Sequence, residues 1–260
     1  MLKIFKYSLF DLIRSNWSIA YLAFYLMVSS SIIYMNGDIT KSIISMMNVI
    51  LLLIPLVATV FGAIYMYNSR EFTELLLSQP IKRKSIFLGQ YLGLAVSLSL
   101  SFILGVGIPF IIRGIFTSPE LSNFLVLIGV GFILSFIFSL LSFLVALRFE
   151  NRIKGFGLSL FIWLFMSIIY DGILLLILIW FESYPTENLA IILTLINPID
   201  LGRVLIMLFL DTSALMGYTG AVFYNFFGVW QGILISVISL FVWLILPLYI
   251  LHRYIKKKDF

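Results

Sequence analysis

The sequence predicts an all-α membrane protein of about six transmembrane helices with both ends in the cytoplasm. Three observations carry that prediction. Of 260 residues, 62% are hydrophobic and only 11% are charged, too little charge to cover a water-soluble domain of this size. A bilayer core takes about 20 apolar residues per helix, and six stretches qualify: roughly 17–35, 44–67, 86–112, 124–147, 157–181 and 229–251. The positive charges then divide unevenly between the connections. Of 17 Lys and Arg residues, 14 lie on the side of the N-terminus: Lys3, Lys6 and Arg14; Arg70, Lys82, Arg83 and Lys84; Arg148, Arg152 and Lys154; Arg253, Lys256, Lys257 and Lys258. Lys41, Arg113 and Arg203 lie on the other. Basic loops stay inside, so both termini are placed in the cytoplasm.

No segment outside the spans is long enough to hold its own core, so residues 1–260 read as one helical domain. Residues 2–14 form an amphipathic N-terminal segment. Lys3, Lys6, Asp11 and Arg14 share one arc with Tyr7 and Phe10, and Leu2, Ile4, Phe5, Leu9, Leu12 and Ile13 cover the rest. The segment reads either as an interfacial helix in the headgroup plane or as a simple anchor at the start of the first span. A cleaved signal peptide is not expected, because the first apolar run follows this charged segment and is too long. The first outer loop, 36–42, is short.

Residues 68–85 make the largest cytoplasmic connection. Arg70, Glu71 and Glu74 decorate a short helix whose apolar side is Phe72 with Leu75, Leu76 and Leu77; Pro80 breaks it and Lys82, Arg83 and Lys84 follow. An apolar ridge flanked by charge suggests docking to a partner. The alternative is a helix lying on the membrane with its basic cluster on anionic lipid. The second cytoplasmic loop, around Arg148–Gly157, is short and basic.

The fifth span carries Asp171 beside Gly172. A carboxylate within a span is a functional hypothesis by default. The structural reading pairs it with a neighbouring helix through Tyr170 or a Ser.

Residues 182–228 form the longest outer segment. Within it, 189–210 are apolar enough to cross, but Asn197, Pro198, Asp200 and Arg203 sit at the middle, and charge at mid-bilayer costs about 2.5–3.5 kcal/mol per residue on insertion scales. A seventh span would also carry the basic tail outside. The stretch therefore reads as a re-entrant helical hairpin dipping into the outer leaflet. Asn197 caps its second arm, Pro198 takes the first turn, and Asp200 pairs with Arg203 three residues on. Asp211, Thr212 and Ser213 are N-cap candidates for a further short helix before the sixth span.

Composition also narrows the chemistry. The chain has no cysteine and one histidine, His252. Disulfides, thiol catalysis and a Ser-His-Asp arrangement within the spans are excluded. No G-x-x-x-x-G-K-[ST] phosphate loop is present. The methionines are dispersed, and Met46 with Met47 reads as packing rather than a Cu(I) site. No catalytic or metal-ligating residue is assigned.

Two stretches carry a resemblance. Ser69-Arg70-Glu71, then Glu74-Leu75-Leu76-Leu77-Ser78-Gln79-Pro80 and Gly89-Gln90-Tyr91-Leu92-Gly93, with the order of elements around them, resemble the ABC-2 type permeases. That resemblance implies a bacterial inner-membrane subunit that works as a homodimer. Its N-terminal helix and the helix carrying Arg70, Glu71, Phe72, Glu74 and Leu75 would dock on a separate ATPase, which holds ATP and Mg²⁺. Asn197-Pro198-Ile199-Asp200-Leu201-Gly202-Arg203 and Leu210-Asp211-Thr212-Ser213-Ala214-Leu215-Met216-Gly217-Tyr218-Thr219-Gly220-Ala221 resemble the members that serve copper-centre maturation of nitrous oxide reductase. Those work with a periplasmic β-helical protein and, through it, a copper chaperone or the reductase. The alternative is an exporter of a lipid, peptide or drug.

Overall fold

The computed structural model describes residues 1–181, 187–210 and 217–257. These residues are helical, joined by short turns: α1 (Leu2–Ile13), α2 (Asn16–Asn36), α3 (Ile39–Asn68), α4 (Arg70–Leu77), α5 (Arg83–Ile112), α6 (Leu121–Arg148), α7 (Arg152–Leu164), α8 (Tyr170–Trp180), α9 (Glu187–Ile196), α10 (Pro198–Leu210) and α11 (Gly217–Lys257). A π-helical turn over Phe165–Ile169 joins α7 to α8, making one apolar span of Arg152–Trp180. With α2, α3, α5, α6 and α11, this gives six helices long and apolar enough to cross a membrane. α9 and α10 form a bent pair that turns by 113° at Asn197.

Local signals set the boundaries. Ser15 caps α2 by accepting from the Ser18 amide. Gly37 ends that helix at φ 66°, a left-handed conformation open to glycine, and Asp38 caps α3 at once by accepting from Thr40. Asn151 caps α7 through the amides of Ile153 and Lys154.

α3, α5 and α6 make the centre of the bundle. Their contacts rest on small residues that let backbones approach, the usual device where lipid removes a hydrophobic drive between helices. At Gly62 a Cβ would sit 3.0 Å from that of Ser142, and Ser142 Oγ donates to Thr59 O at 2.6 Å. At Gly105 a Cβ would sit 2.7 Å from that of Tyr25, seating α2 on α5. The main core runs through Ile50, Ile54, Phe102, Leu134 and Phe138, and takes in most of α10. A second cluster, with Tyr67, Phe87, Tyr91, Phe143 and Leu251, fills the end where the basic segments gather.

The sixth helix follows the sequence reading: Gly228 (φ 68°, ψ −176°) separates a short arm that begins at Gly217 from the piece that contains the expected span 229–251. A helix of 41 residues would measure about 60 Å if straight, twice a bilayer core. The break divides it into a membrane-length piece and a short preceding arm.

Candidate functional site

α4 is fastened to the bundle by its polar side. α3 stops at Ser69 and α4 starts there, since the Ser69 amide donates to Tyr65 O and its carbonyl accepts from Thr73 N. Thr73 is buried; its hydroxyl donates to Ser69 O and accepts from Gln90 Nε2 at 2.8 Å. Gln90, on α5, is fully buried. An amide–hydroxyl bond inside an apolar interior is costly to leave unmade, so this pair fixes where α4 lies.

The five predicted docking residues separate. Glu71, Glu74 and Leu75 face outward, Leu75 being 66% exposed. Phe72 instead turns inward and stacks on Tyr7 of α1, ring centroids 5.2 Å apart, so it joins two helices rather than the exposed ridge. Arg70 reaches the α6–α7 turn: Nη1 donates to Glu150 O at 3.3 Å, and the side chain lies 3.8 Å from Glu74 and 4.0 Å from Glu150. These exposed ion pairs contribute at most about 1 kcal/mol each. Their effect is to hold α4 beside that turn.

α1 is seated on α5. At Gly93 a Cβ would meet Ser8 Cβ at 2.6 Å, and at Gly89 it would meet Ile4 at 3.0 Å. The segment Gly89-Gln90-Tyr91-Leu92-Gly93 therefore holds α1 through its glycines and α4 through its glutamine. α1 is both amphipathic and packed, which neither sequence reading stated.

The second site lies at the elbow between α9 and α10, inside the bundle. Asn197 Nδ2 donates to Met166 O at 2.8 Å, and Met166 is the midpoint of the Arg152–Trp180 span. Helix ends at that depth have no water to satisfy them. The last-turn carbonyls of α9 take side-chain donors instead, Tyr170 Oη to Leu193 O at 2.6 Å and Trp243 Nε1 to Leu195 O at 3.2 Å. Asn197 Oδ1 accepts from the first amide of α10, that of Ile199, and Pro198 has none to satisfy.

The charges close on one another beside this elbow. Arg203 Nη1 and Nη2 each donate to Asp171 Oδ2 at 3.2 Å, and Nη1 also donates to Asp200 Oδ1 at 3.1 Å. Asp200 Oδ2 accepts from Asn197 Nδ2 at 2.9 Å. One guanidinium thus bridges the hairpin to the fifth span. Tyr170 is committed to Leu193 and does not hold Asp171, so the partner expected from the sequence is replaced by Arg203. The signal was available: Asp171 and Arg203 are opposite charges in segments that have few others. Asp211 lies outside the described residues.

A family model described as "ABC-2 family transporter protein" matches residues 4–254. The chain belongs to the ABC-2 transporter family. Within it, the chain is 24% identical over 223 residues to the probable ABC transporter permease protein NosY of Pseudomonas aeruginosa, covering 80% of this chain and 81% of that one. It is 23% identical over 211 residues to the probable ABC transporter permease protein NosY of Stutzerimonas stutzeri, covering 75% and 76%. In this ABC-2 protein one polar site lies at the basic end of the bundle and the other near the middle of the fifth span. α4 and α1 meet α5 at the basic end, while the Asp171–Arg203–Asp200 bridge joins the hairpin to the fifth span.

Proposed function

We propose that this chain is the membrane subunit of an ABC transporter that works as a homodimer in the bacterial cytoplasmic membrane, both termini inside. α1 and the outward face of α4, with Glu71, Glu74 and Leu75, dock on a separate ATPase that holds ATP and Mg²⁺ and performs the hydrolysis. The chain itself is non-catalytic and converts that cycle into motion of the outer hairpin, α9 and α10. By its likeness to NosY, it serves copper-centre maturation of nitrous oxide reductase. A periplasmic β-helical protein receives the motion, and a copper chaperone or the reductase lies beyond it.

The observation that carries this reading is the fastening of α4. A short helix with Leu75 exposed beside Glu71 and Glu74 is pinned by Thr73 to buried Gln90, which suits a surface that must receive force without yielding. The gathering of basic segments at the same end supports the orientation. Affinity purification from native membranes with mass spectrometry tests the whole assembly. An ATPase and an outer β-helical protein should come with the chain. The double substitution Glu71→Lys with Glu74→Lys should strip the ATPase while leaving the chain in the membrane. Recovery of the ATPase at an undiminished level from that variant would refute the docking assignment.

A further inference from the structure

A crevice of about 480 Å³ opens between α1, α3 and α4. Its floor is apolar, made by Phe61 and Ile64 of α3; Trp17 at the start of α2, 69% exposed, stands at its mouth, edge-on to Phe61 at 6.0 Å. Tyr7, Tyr65 and Phe72 complete an aromatic mouth to which the two tyrosine hydroxyls give polar tips. Beside it lies a shallow shelf along α1 that shares Tyr7 and Asp11 with the crevice and carries Lys3, Lys6 and Arg14. All three cations are exposed. With the one carboxylate, Asp11, the shelf has a net positive charge of two.

We propose that crevice and shelf together bind one anionic phospholipid. The apolar floor accepts an acyl chain, and the phosphate lies against Lys6 and Arg14, with Asp11 keeping it toward the basic side of α1. Three features select a lipid over a protein segment. Phe61 and Ile64 belong to an apolar span, Ile39–Asn68, so the floor is continuous with a helix face that lipid chains contact. Trp and Tyr rings at the mouth suit the headgroup boundary. The cations stand together at the polar edge, where an anionic headgroup adds about 1 kcal/mol of attraction per Lys or Arg. The site shares α1 with the ATPase-docking surface proposed above and rests on the orientation given there, which makes the lipid one of the inner leaflet. A lipid here would fill the space under α1 and α4, the two helices through which motion enters.

Native mass spectrometry of the full chain in detergent, titrated with dioleoyl phosphatidylglycerol or dioleoyl phosphatidylcholine, tests the site. The unaltered chain should retain phosphatidylglycerol preferentially. Lys6→Gln with Arg14→Gln should weaken that retention about 30-fold, removing the two cationic contacts. Ile64→Trp, which fills the floor but leaves every charge, should weaken both lipids. Equal retention of the two lipids by the unaltered chain would show annular lipid only and overturn the proposal. So would undiminished phosphatidylglycerol binding by either variant. Lipid bound to the isolated chain but missing from the chain purified with an ATPase would assign the crevice to a protein segment, and would likewise overturn it.

Discussion

Arg203 reaches across 32 positions of sequence to Asp171, both its terminal nitrogens lying 3.2 Å from one carboxylate oxygen. The same guanidinium holds Asp200 one turn back on its own helix at 3.1 Å. The side chains of Asp171 and Arg203 remain about one-third exposed, whereas that of Asp200 is 5% exposed. Removing the arginine therefore leaves one buried carboxylate with only Asn197 to satisfy it.

Arg203→Ala is expected to destabilise the chain by about 1–3 kcal/mol, below the usual 3–5 kcal/mol for a fully buried pair because Asp171 and Arg203 are each about one-third exposed and only Asp200 is left buried. Asp171→Ala should cost less, since Arg203 keeps Asp200. Equilibrium unfolding in detergent of both single variants and the double variant measures the link directly. A coupling energy above about 0.5 kcal/mol is expected; strictly additive losses would show that the contact contributes no stability.

Gly93→Ala is expected to lift α1 from α5. The new methyl would lie 2.6 Å from Ser8 Cβ and 3.1 Å from Leu9 N, and forcing atoms into a filled contact costs about 1–3 kcal/mol. Gly129→Ala meets nothing within 4 Å and should be neutral or gain up to about 1 kcal/mol from helix propensity. Thermal unfolding of the pair, with proteolysis of the N-terminal segment as a local readout, separates the two outcomes. Equal behaviour of the two variants would remove the close-contact account of α1.

Gln90→Leu keeps the side chain buried but deletes the donor to Thr73. The expected cost is about 1–3 kcal/mol, with faster hydrogen exchange across α4 than across α6. Exchange mass spectrometry reads this. Unchanged protection of α4 would mean that Phe72 on Tyr7 and Arg70 on Glu150 suffice to hold the helix.

Gly228→Ala should perturb the entry to the sixth span. At φ 68° and ψ −176° the backbone occupies a region reached essentially only by glycine, and a side chain there costs about 1–3 kcal/mol. The variant should unfold at lower temperature or straighten the helix past the break. Spin labels at Tyr224 and Gln231 would report the latter as a longer separation. An unaltered separation with unaltered stability would contradict the assigned geometry.

Much of the framework was legible in one dimension. Span length and apolar composition are local properties, so the six spans, the short helix before Pro80 and the interruption at Asn197-Pro198 could be located without knowing what touches what. The cap of α10 was legible for the same reason, because Asn197 and the amide it serves are neighbours in the chain. Phe72 shows the limit: periodicity places it on an apolar side, but only α1 decides that this side faces Tyr7 rather than a partner.

By itself the sequence determined that this chain is a bundle of membrane-length helices with its cations massed at one end. Lipid tolerates no unpaired backbone, and charge is expensive within it. Only the tertiary structure decided that Asp171 belongs to Arg203, that Gln90 holds Thr73, and that Gly89 and Gly93 make room for α1. Those choices depend on distances between segments far apart in the chain. A single charge or glycine signals that it needs a partner or a close neighbour, but packing alone selects which one.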